Sequence, residues 1–150
     1  MDEKQRPNVG LGIIVIKKCS PYSGKVLLAP RPMTKIVGAG AWQLPGGHLE
    51  MYEEFADAAK REISEECGDE IVVDMPQFFG VTNNPWPEKN KHYVTIFLTA
   101  RWLQGEAKCS GGHGPWTWFD LNNLPKPLFE GVNGGIFTPK NIACLKLLIS

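Results

Sequence analysis

The sequence predicts a mixed α/β (α+β) sandwich, in which strands surround a central helix and a second helix ends the chain. Two observations predict this class. Several short segments rich in Ile, Val, Leu and aromatic residues are bounded by Gly and Pro, whereas Glu53–Cys67 lacks both and is rich in helix formers. Because 150 residues fit one domain, we expect a flexible segment over residues 1–8 and a single domain over residues 9–150.

The first half of the chain predicts a hairpin followed by a sharp turn. Val9–Ile16 is a continuous apolar run typical of a buried strand, and Lys25–Ala29 is a second short strand after turn-forming residues at 21–24. Ala41–Leu44 is predicted as a short extended segment. It ends at the turn Pro45-Gly46-Gly47, and the helix Glu53–Cys67 follows, with Gly68 as its C-cap.

The second half predicts further strands, one loop and a terminal helix. The strands are expected within Ile71–Val81, His92–Trp102 and Trp116–Phe119. The polar residues Asn83–Asn90 are predicted to form a loop that exposes Trp86. Thr138 and Pro139 are typical of an N-cap and a first helical position, so a helix is expected through Ile149.

Composition excludes several function classes. The 16 Lys and Arg balance the 16 Asp and Glu, so no net field attracts a nucleic-acid polymer. No apolar run approaches the ~20 residues that span a bilayer, and no membrane association is expected. Four widely spaced cysteines, with no Cys-x-x-Cys pair and no apolar signal segment before them, predict reduced thiols in a cytoplasmic protein.

Acidic residues interrupt the apolar side of the predicted helix. At about 100° per residue, Glu62 and Glu66 fall on either side of Phe55, at the edge of the predicted core. Glu65 is related to its neighbours by helical spacing, and the three carboxylates are expected to project toward one spot and repel one another. Arg61 is expected to neutralise one of them but not all three. A divalent cation would satisfy the cluster, while the alternative is a Glu-rich helix that is merely soluble.

The stretch GHLEMYEEFADAAKREISEECG, from Gly47 to Gly68, resembles the signature of the Nudix hydrolases. The positions that match this signature are Gly47, Glu53, Arg61, Glu62, Ile63, Glu65, Glu66 and Gly68. Asp69 departs from it, because the family has an aliphatic residue there that packs the helix exit into the core. The flanking segments GAGAWQLPGGHLE, HYVTIFLTARW and WTWFDLNNLP resemble the MutT-like branch of nucleoside-triphosphate diphosphatases.

This resemblance implies a Nudix-type α/β/α sandwich with a central mixed β-sheet, and cleavage of a nucleoside diphosphate linked to another group. It implies a metal site for Mg²⁺, with Mn²⁺ as a substitute, formed by Glu62, Glu65, Glu66 and the Gly46 carbonyl. It also implies that Arg61 and Glu53 brace the catalytic loop.

The general base is left open by the sequence. Relatives often place an acidic residue just before the Trp-containing strand, whereas residues 109–115 contain no carboxylate. His113 lies in this segment but is a poor ligand for Mg²⁺, so water is the expected replacement as a ligand.

Substrate-binding residues are expected near the glycine turn and in the aromatic segments. Gly47 lets the backbone approach phosphates without a Cβ, and His48 beside it would reach a phosphate or remain a surface histidine. Trp86 and Trp116 are candidates for stacking a base or for packing in the core. The Asn83-Asn84 pair, of which Asn83 is the chosen candidate, is expected to offer amide groups to a base edge or to form a turn.

We therefore expect Mg²⁺-dependent hydrolysis of nucleoside triphosphates to nucleoside monophosphate and pyrophosphate. Purine nucleotides, including oxidised or otherwise modified ones, are the expected substrates, which suggests sanitation of the nucleotide pool. Alternatives are a hydrolase of another diphosphate (nucleotide sugar, dinucleotide or prenyl diphosphate) and a catalytically silent nucleotide-binding module. The complete set of glutamates argues against the silent module. The resemblance and the five Trp residues also predict a homodimer.

Overall fold

The computed structural model describes residues 4–21, 23–129 and 135–149. The first three residues of the predicted flexible segment lie outside the described residues. Residues 4–7 are exposed and have no regular secondary structure, and the first strand begins at Asn8.

The described residues form a mixed β-sheet and two helices, and they confirm the predicted sandwich. The elements are β1 (Asn8–Ser20), β2 (Ser23–Pro30), β3 (Trp42–Gln43), β4 (Gly46–His48), α1 (Phe55–Cys67), β5 (Val72–Val73), β6 (Gln77–Trp86), β7 (Lys91–Gln104), β8 (Thr117–Asp120) and α2 (Pro139–Leu148).

Strand β1 lies at the centre of the sheet. It pairs in parallel with β7 and antiparallel with β2, which confirms the predicted hairpin, and with β4. Strand β7 also pairs antiparallel with β5 and β6, and β2 with β3 and β8. The residues Ile13–Ile16 are completely buried, as expected for a strand covered on both faces.

Alternation along β1 divides the core into two layers. Ile13 and Val15 pack with α1 residues such as Ile63 on one face of the sheet. Ile14 and Ile16 pack on the other face, with Leu145 of α2 and other apolar side chains. The helix that carries the acidic residues is therefore fixed directly against the central strand.

The C-terminal end of α1 keeps its structure although the last signature position is the polar residue Asp69. Gly68 has a φ of 82° and its N–H donates to the Ser64 carbonyl at 3.1 Å, which confirms the predicted C-cap. The Asp69 carboxylate accepts a hydrogen bond from the Ser64 hydroxyl. Ile71 is buried in the core instead, so the departure at Asp69 leaves the helix exit intact.

The helix starts follow the predictions closely. The first helix begins at Phe55, two residues later than predicted, after Glu54 in an extended conformation. The second begins at Pro139, and the Thr138 side chain accepts a hydrogen bond from the Asn141 N–H at 3.1 Å. The predicted N-cap is thus confirmed.

The predicted loop Asn83–Asn90 is wrong in its first half. Residues 83–86 continue β6 into its pairing with β7, and Pro87–Lys89 form a single 3₁₀ turn between the two strands. Pro85 is tolerated because β6, in the described sheet, pairs on one side only. Trp86 is consequently 7% exposed rather than displayed on a loop.

All four cysteines are free thiols, in agreement with the prediction. Cys67, the last residue of α1, has its side chain in the core, where burial raises the pKa of the thiol. No helix in the described ranges is long and apolar enough to cross a membrane.

Candidate active site

A cavity of about 910 Å³ opens beside α1, β4 and the β6–β7 ribbon. Two sets of side chains line it. We call Glu62, Glu65 and Glu66, with the adjoining Gly46 and Gly47, the carboxylate wall. We call the aromatic wall the set Asn84, Trp86, Tyr93, Thr95 and Phe129. Most of the lining residues predicted from the sequence belong to the first set.

Glu62 and Glu66 are buried at the edge of the core, as the helical pattern predicts, and are 7% and 4% exposed. The Gly46 N–H donates to Glu66 Oε1 at 2.7 Å. Burial raises the pKa of Glu66 to about 7, and this hydrogen bond opposes the rise only in part. Burial likewise raises the pKa of Glu62, while a hydrogen bond from Arg61 opposes it.

The glycine turn is required for steric reasons that differ between its two positions. A Cβ on Gly46 would overlap the backbone carbonyl of Leu11 in the neighbouring strand. A Cβ on Gly47 would lie 2.5 Å from Glu62 Oε1, inside van der Waals contact. Glycine at 46 therefore allows the β1–β4 pairing, whereas glycine at 47 leaves room for the Glu62 carboxylate.

Arg61 contacts more carboxylates than predicted. Its Nε and Nη2 donate to the two carboxylate oxygens of Glu53 at 2.8 and 2.9 Å. Its Nη1 donates to Glu62 at 2.8 Å and to Glu65 at 3.3 Å. A planar guanidinium offers five donors, so the expectation that Arg61 answers one carboxylate is wrong. Nη2 also donates to the His48 carbonyl at 3.0 Å, which ties α1 to the turn.

The carboxylates do not converge on one point as predicted. Glu65 is exposed and pairs with Arg61, whereas Glu66 faces the glycine turn. Across the described ranges, no three His, Cys, Asp or Glu side chains are grouped closely enough to hold a metal ion. In donor chemistry the residues fit Mg²⁺, which prefers carboxylate oxygens, and Gly47 keeps space open beside Glu62. A metal at this wall would share Glu62 with Arg61.

The segment 109–115 brings His113 to the carboxylate wall. Reciprocal backbone hydrogen bonds between Ser110 and His113 close a tight turn. His113 Nδ1 lies 2.8 Å from Glu66 Oε2, in a close contact rather than an aligned hydrogen bond. Burial, with nearby Lys35 and Arg31, lowers the pKa of His113 below its ordinary value.

Strand alternation determines which asparagine faces the cavity. Asn84 lies opposite Tyr93 in the β6–β7 pairing, and both line the aromatic wall. Asn83, predicted to contact a base, is exposed outside the cavity, and its Oδ1 lies 2.6 Å from His92 Nε2. A loop would have allowed either orientation, but a strand sends neighbouring side chains to opposite faces.

The two predicted stacking tryptophans lie in different places. Trp86 lines the cavity and stacks on Phe129, with ring centroids 6.0 Å apart and planes within 11°. Trp116 packs against the core below α1, and its Nε1 donates to the Glu66 backbone carbonyl at 2.9 Å. The structure therefore brings only Trp86 to the aromatic wall.

His48 connects the two walls. It follows the glycine turn, is exposed, and lines the cavity as predicted. Its ring stacks on Tyr93, with centroids 5.7 Å apart and planes within 10°.

The basic residues of the cavity were not predicted from the sequence. Arg31 Nε donates to the Val37 carbonyl at 2.6 Å, and its Nη1 donates to Gln43 Oε1 at 2.8 Å. Its guanidinium also lies 4.0 Å from the centre of the Phe129 ring. The β2–β3 pairing brings Arg31 and Gln43 together, and a charged residue just after a buried strand was the available signal. Lys35 and Lys91 add positive charge to the same cavity.

Comparisons with known proteins agree with this geometry. The NUDIX domain family profile matches residues 8–137. An ADP-ribose pyrophosphatase of Methanocaldococcus jannaschii is 34% identical over 106 residues, covering 71% of this chain and 60% of the relative. An 8-oxo-dGTP diphosphatase of Proteus vulgaris is 28% identical over 117 residues, covering 75% and 96%. The crystal structure of a MutT NUDIX hydrolase from Burkholderia pseudomallei superposes with a TM-score of 0.69 at 29% identity, covering 83% and 91%.

Proposed function

The chain belongs to the NUDIX domain family, and we propose that it hydrolyses a phosphoanhydride bond in a nucleoside diphosphate derivative. The observation that carries this proposal is the burial of Glu62 and Glu66 against the glycine turn of a cavity whose other wall is aromatic. Buried carboxylates suit a cation that offsets phosphate charge, and aromatic rings suit a nucleobase. One cavity thus offers both environments that a nucleotide needs.

Within this class, the proposed substrate is a purine nucleoside triphosphate, oxidised or otherwise modified purines included. Water would cleave the bond between the α and β phosphates and release nucleoside monophosphate and pyrophosphate. A purine offers more surface for stacking on Trp86 than a pyrimidine does. The similarity to an 8-oxo-dGTP diphosphatase over 96% of that relative supports the proposal, and with it a role in nucleotide-pool sanitation.

Each wall has a proposed task. The side chains of Glu62, Glu65 and Glu66 are not grouped around one point in the structure, so they would have to turn toward a bound cation. Mg²⁺ or Mn²⁺ would then be held by these three carboxylates and the carbonyl of Gly46. When bound, the metal would supply positive charge to the phosphate oxygens and acidify a water molecule. The Gly46 N–H holds the Glu66 carboxylate in place, and the Arg61–Glu53 pair holds the turn. His48 and Gly47 would contact the phosphates.

A second candidate substrate is ADP-ribose or another nucleoside diphosphate sugar. The archaeal ADP-ribose pyrophosphatase favours it, since it is 34% identical, although the alignment covers only 60% of that protein. Cleavage of ADP-ribose would release AMP and a sugar phosphate, without pyrophosphate. The products therefore separate the two candidates.

Product analysis by ³¹P NMR tests the proposal. The wild-type protein is incubated with Mg²⁺ and a panel of nucleoside triphosphates, 8-oxo-dGTP, ADP-ribose and a prenyl diphosphate. We expect pyrophosphate and monophosphate from purine triphosphates, at a higher rate than any product from ADP-ribose. Orthophosphate as the direct product, or turnover of sugar or prenyl diphosphates alone, would contradict it. A Glu66→Gln preparation shows whether a contaminant is responsible.

We also propose that the protein forms a homodimer. Met75, Phe78 and Leu148 are exposed around a second cavity, and pairing would remove such an apolar surface from water. Light scattering at tens of micromolar should give about twice the chain mass, and a mass near 16.7 kDa would reject the proposal.

A further inference from the structure

One half of the Asn84 side-chain amide is paired and the other half is not. Its Nδ2 donates to Thr82 Oγ1 at 2.8 Å and to Thr95 Oγ1 at 3.3 Å. Both hydrogens of the amide nitrogen are thereby used. Asn84 is 4% exposed, and its Oδ1 is shielded from water and accepts no hydrogen bond from the described residues.

The sheet holds this acceptor in a fixed orientation. Thr82 lies opposite Thr95 and Asn84 lies opposite Tyr93 in the β6–β7 pairing, so these side chains share one face. The two threonine hydroxyls accept from the amide nitrogen, and in this arrangement the carbonyl points away from them. Buried polar atoms in native proteins nearly always have a hydrogen-bond partner. An unpaired oxygen at a cavity wall is therefore expected to accept a hydrogen bond from a bound ligand.

The chemistry of the unpaired atom selects which part of a nucleotide it can contact. A carbonyl oxygen only accepts hydrogen bonds, and phosphate oxygens at neutral pH also only accept them, so the two repel. Trp86 lies two residues further along the same face of β6, about 7 Å away, which places an aromatic ring beside the acceptor. A base in contact with that ring is therefore the fitting partner.

We propose that Asn84 Oδ1 accepts a hydrogen bond from an N–H group of the substrate base, and so determines base specificity. The ligands that fit are bases with amino or ring N–H donors, and among the purine nucleotides of the proposed function these are the adenine-type and guanine-type bases. This inference rests on the proposed function and narrows it to nucleotides with such bases.

Three nucleotides that differ in their N–H donors test the assignment. ATP and GTP carry donors, whereas purine riboside triphosphate has the same ring system with none. For the wild type we expect kcat/KM to be about tenfold higher for ATP or GTP, which corresponds to about 1.4 kcal/mol. In Asn84→Leu, which has a similar volume and no acceptor, this preference should shrink to within about twofold. The kcat/KM for purine riboside triphosphate should stay within about threefold.

Asn83→Leu is the matched control, because the structure places Asn83 on the opposite face of the same strand. It should keep the wild-type preference. A wild type without preference, an Asn84→Leu protein that keeps it, or an equal loss for all three nucleotides would overturn the inference; equal loss would point to a contact with the ribose. Thermal melting verifies folding, and Asn84→Ala takes the place of the leucine variant if the latter does not fold.

The inference remains testable if the proposed function fails. Should the wild type hydrolyse none of the triphosphates, titration calorimetry with AMP and purine riboside monophosphate replaces turnover. Weaker binding of AMP to Asn84→Leu, with unchanged binding of purine riboside monophosphate, would support the inference. Unchanged binding of both would overturn it.

Discussion

The two walls of the cavity differ in how their buried hydrogen-bond acceptors are paired. On the carboxylate wall both buried carboxylates have partners within the chain, since Glu66 accepts from the Gly46 N–H and Glu62 from Arg61. Among the described residues, the unpaired atom beside them is His113 Nδ1, 2.8 Å from Glu66 Oε2. On the aromatic wall the rings stack on one another and Asn84 keeps an unpaired oxygen. The difference indicates that the first wall is organised before substrate arrives, whereas the second leaves one group for the substrate to satisfy.

Removing one charge from the carboxylate wall should have the largest effect. Glu66→Gln keeps the volume and the hydrogen bond from Gly46 but loses the negative charge that would bind Mg²⁺. We expect kcat to fall by about a hundredfold or more, with weaker Mg²⁺ binding and an intact fold. Steady-state kinetics and Mg²⁺ titration measure both effects.

Glu54→Gln is the matched control, because Glu54 is exposed and lies at the N-cap position of the same helix. Its side chain makes no capping hydrogen bond. Its activity should stay near that of the wild type. Near wild-type turnover of Glu66→Gln at saturating Mg²⁺ would show that Glu66 is not a metal ligand.

The glycine turn allows a second, smaller perturbation of the same wall. In Gly47→Ala the new methyl group displaces the flexible Glu62 carboxylate, so we expect activity to fall about tenfold with little change in stability. In Gly46→Ala the methyl meets the Leu11 backbone, so the fold itself should be destabilised. Kinetics combined with thermal melting separates the two. Equal loss of stability in both variants would contradict this division.

The buried carboxylates should also make stability depend on pH in the absence of metal. The pKa of Glu66 is about 7 in the folded protein against an ordinary 4.5, so the native state keeps a proton that the unfolded state releases. Stability of the metal-free protein should therefore fall as pH rises from about 4.5 to about 7. Urea unfolding in EDTA across this range should show a weaker fall in Glu66→Gln. Identical pH profiles would contradict the burial of this charge.

The smallest effect is expected at Trp116, which lies outside both walls. Trp116→Phe removes the hydrogen bond from Nε1 to the Glu66 carbonyl, which should cost about 0.5–1.5 kcal/mol, or roughly 1–6 °C in Tm. Base preference should be unchanged. A change in base preference without loss of stability would place Trp116 in substrate recognition.

The sequence predicted the carboxylate wall better than the aromatic wall, for a physical reason. Helical spacing places Glu62 and Glu66 on one side of α1 whether the helix begins at residue 53 or 55. In β6, a shift of one residue moves every side chain to the other face. A loop prediction for Asn83–Trp86 contains no such alternation, so it did not indicate which side chains face the cavity. The pairing of Arg31 with Gln43 and the approach of His113 to Glu66 depend on tertiary contacts that local patterns do not contain.

The division of function between the two walls is tested most directly by the affinity of Glu66→Gln for AMP, measured by titration calorimetry in EDTA. If the carboxylate wall serves the reaction and the aromatic wall serves recognition, AMP should bind the variant no more than about threefold more weakly than the wild type. Turnover of purine triphosphates should still fall by about a hundredfold or more. An affinity for AMP that falls in proportion to turnover would contradict the division of the cavity into two walls.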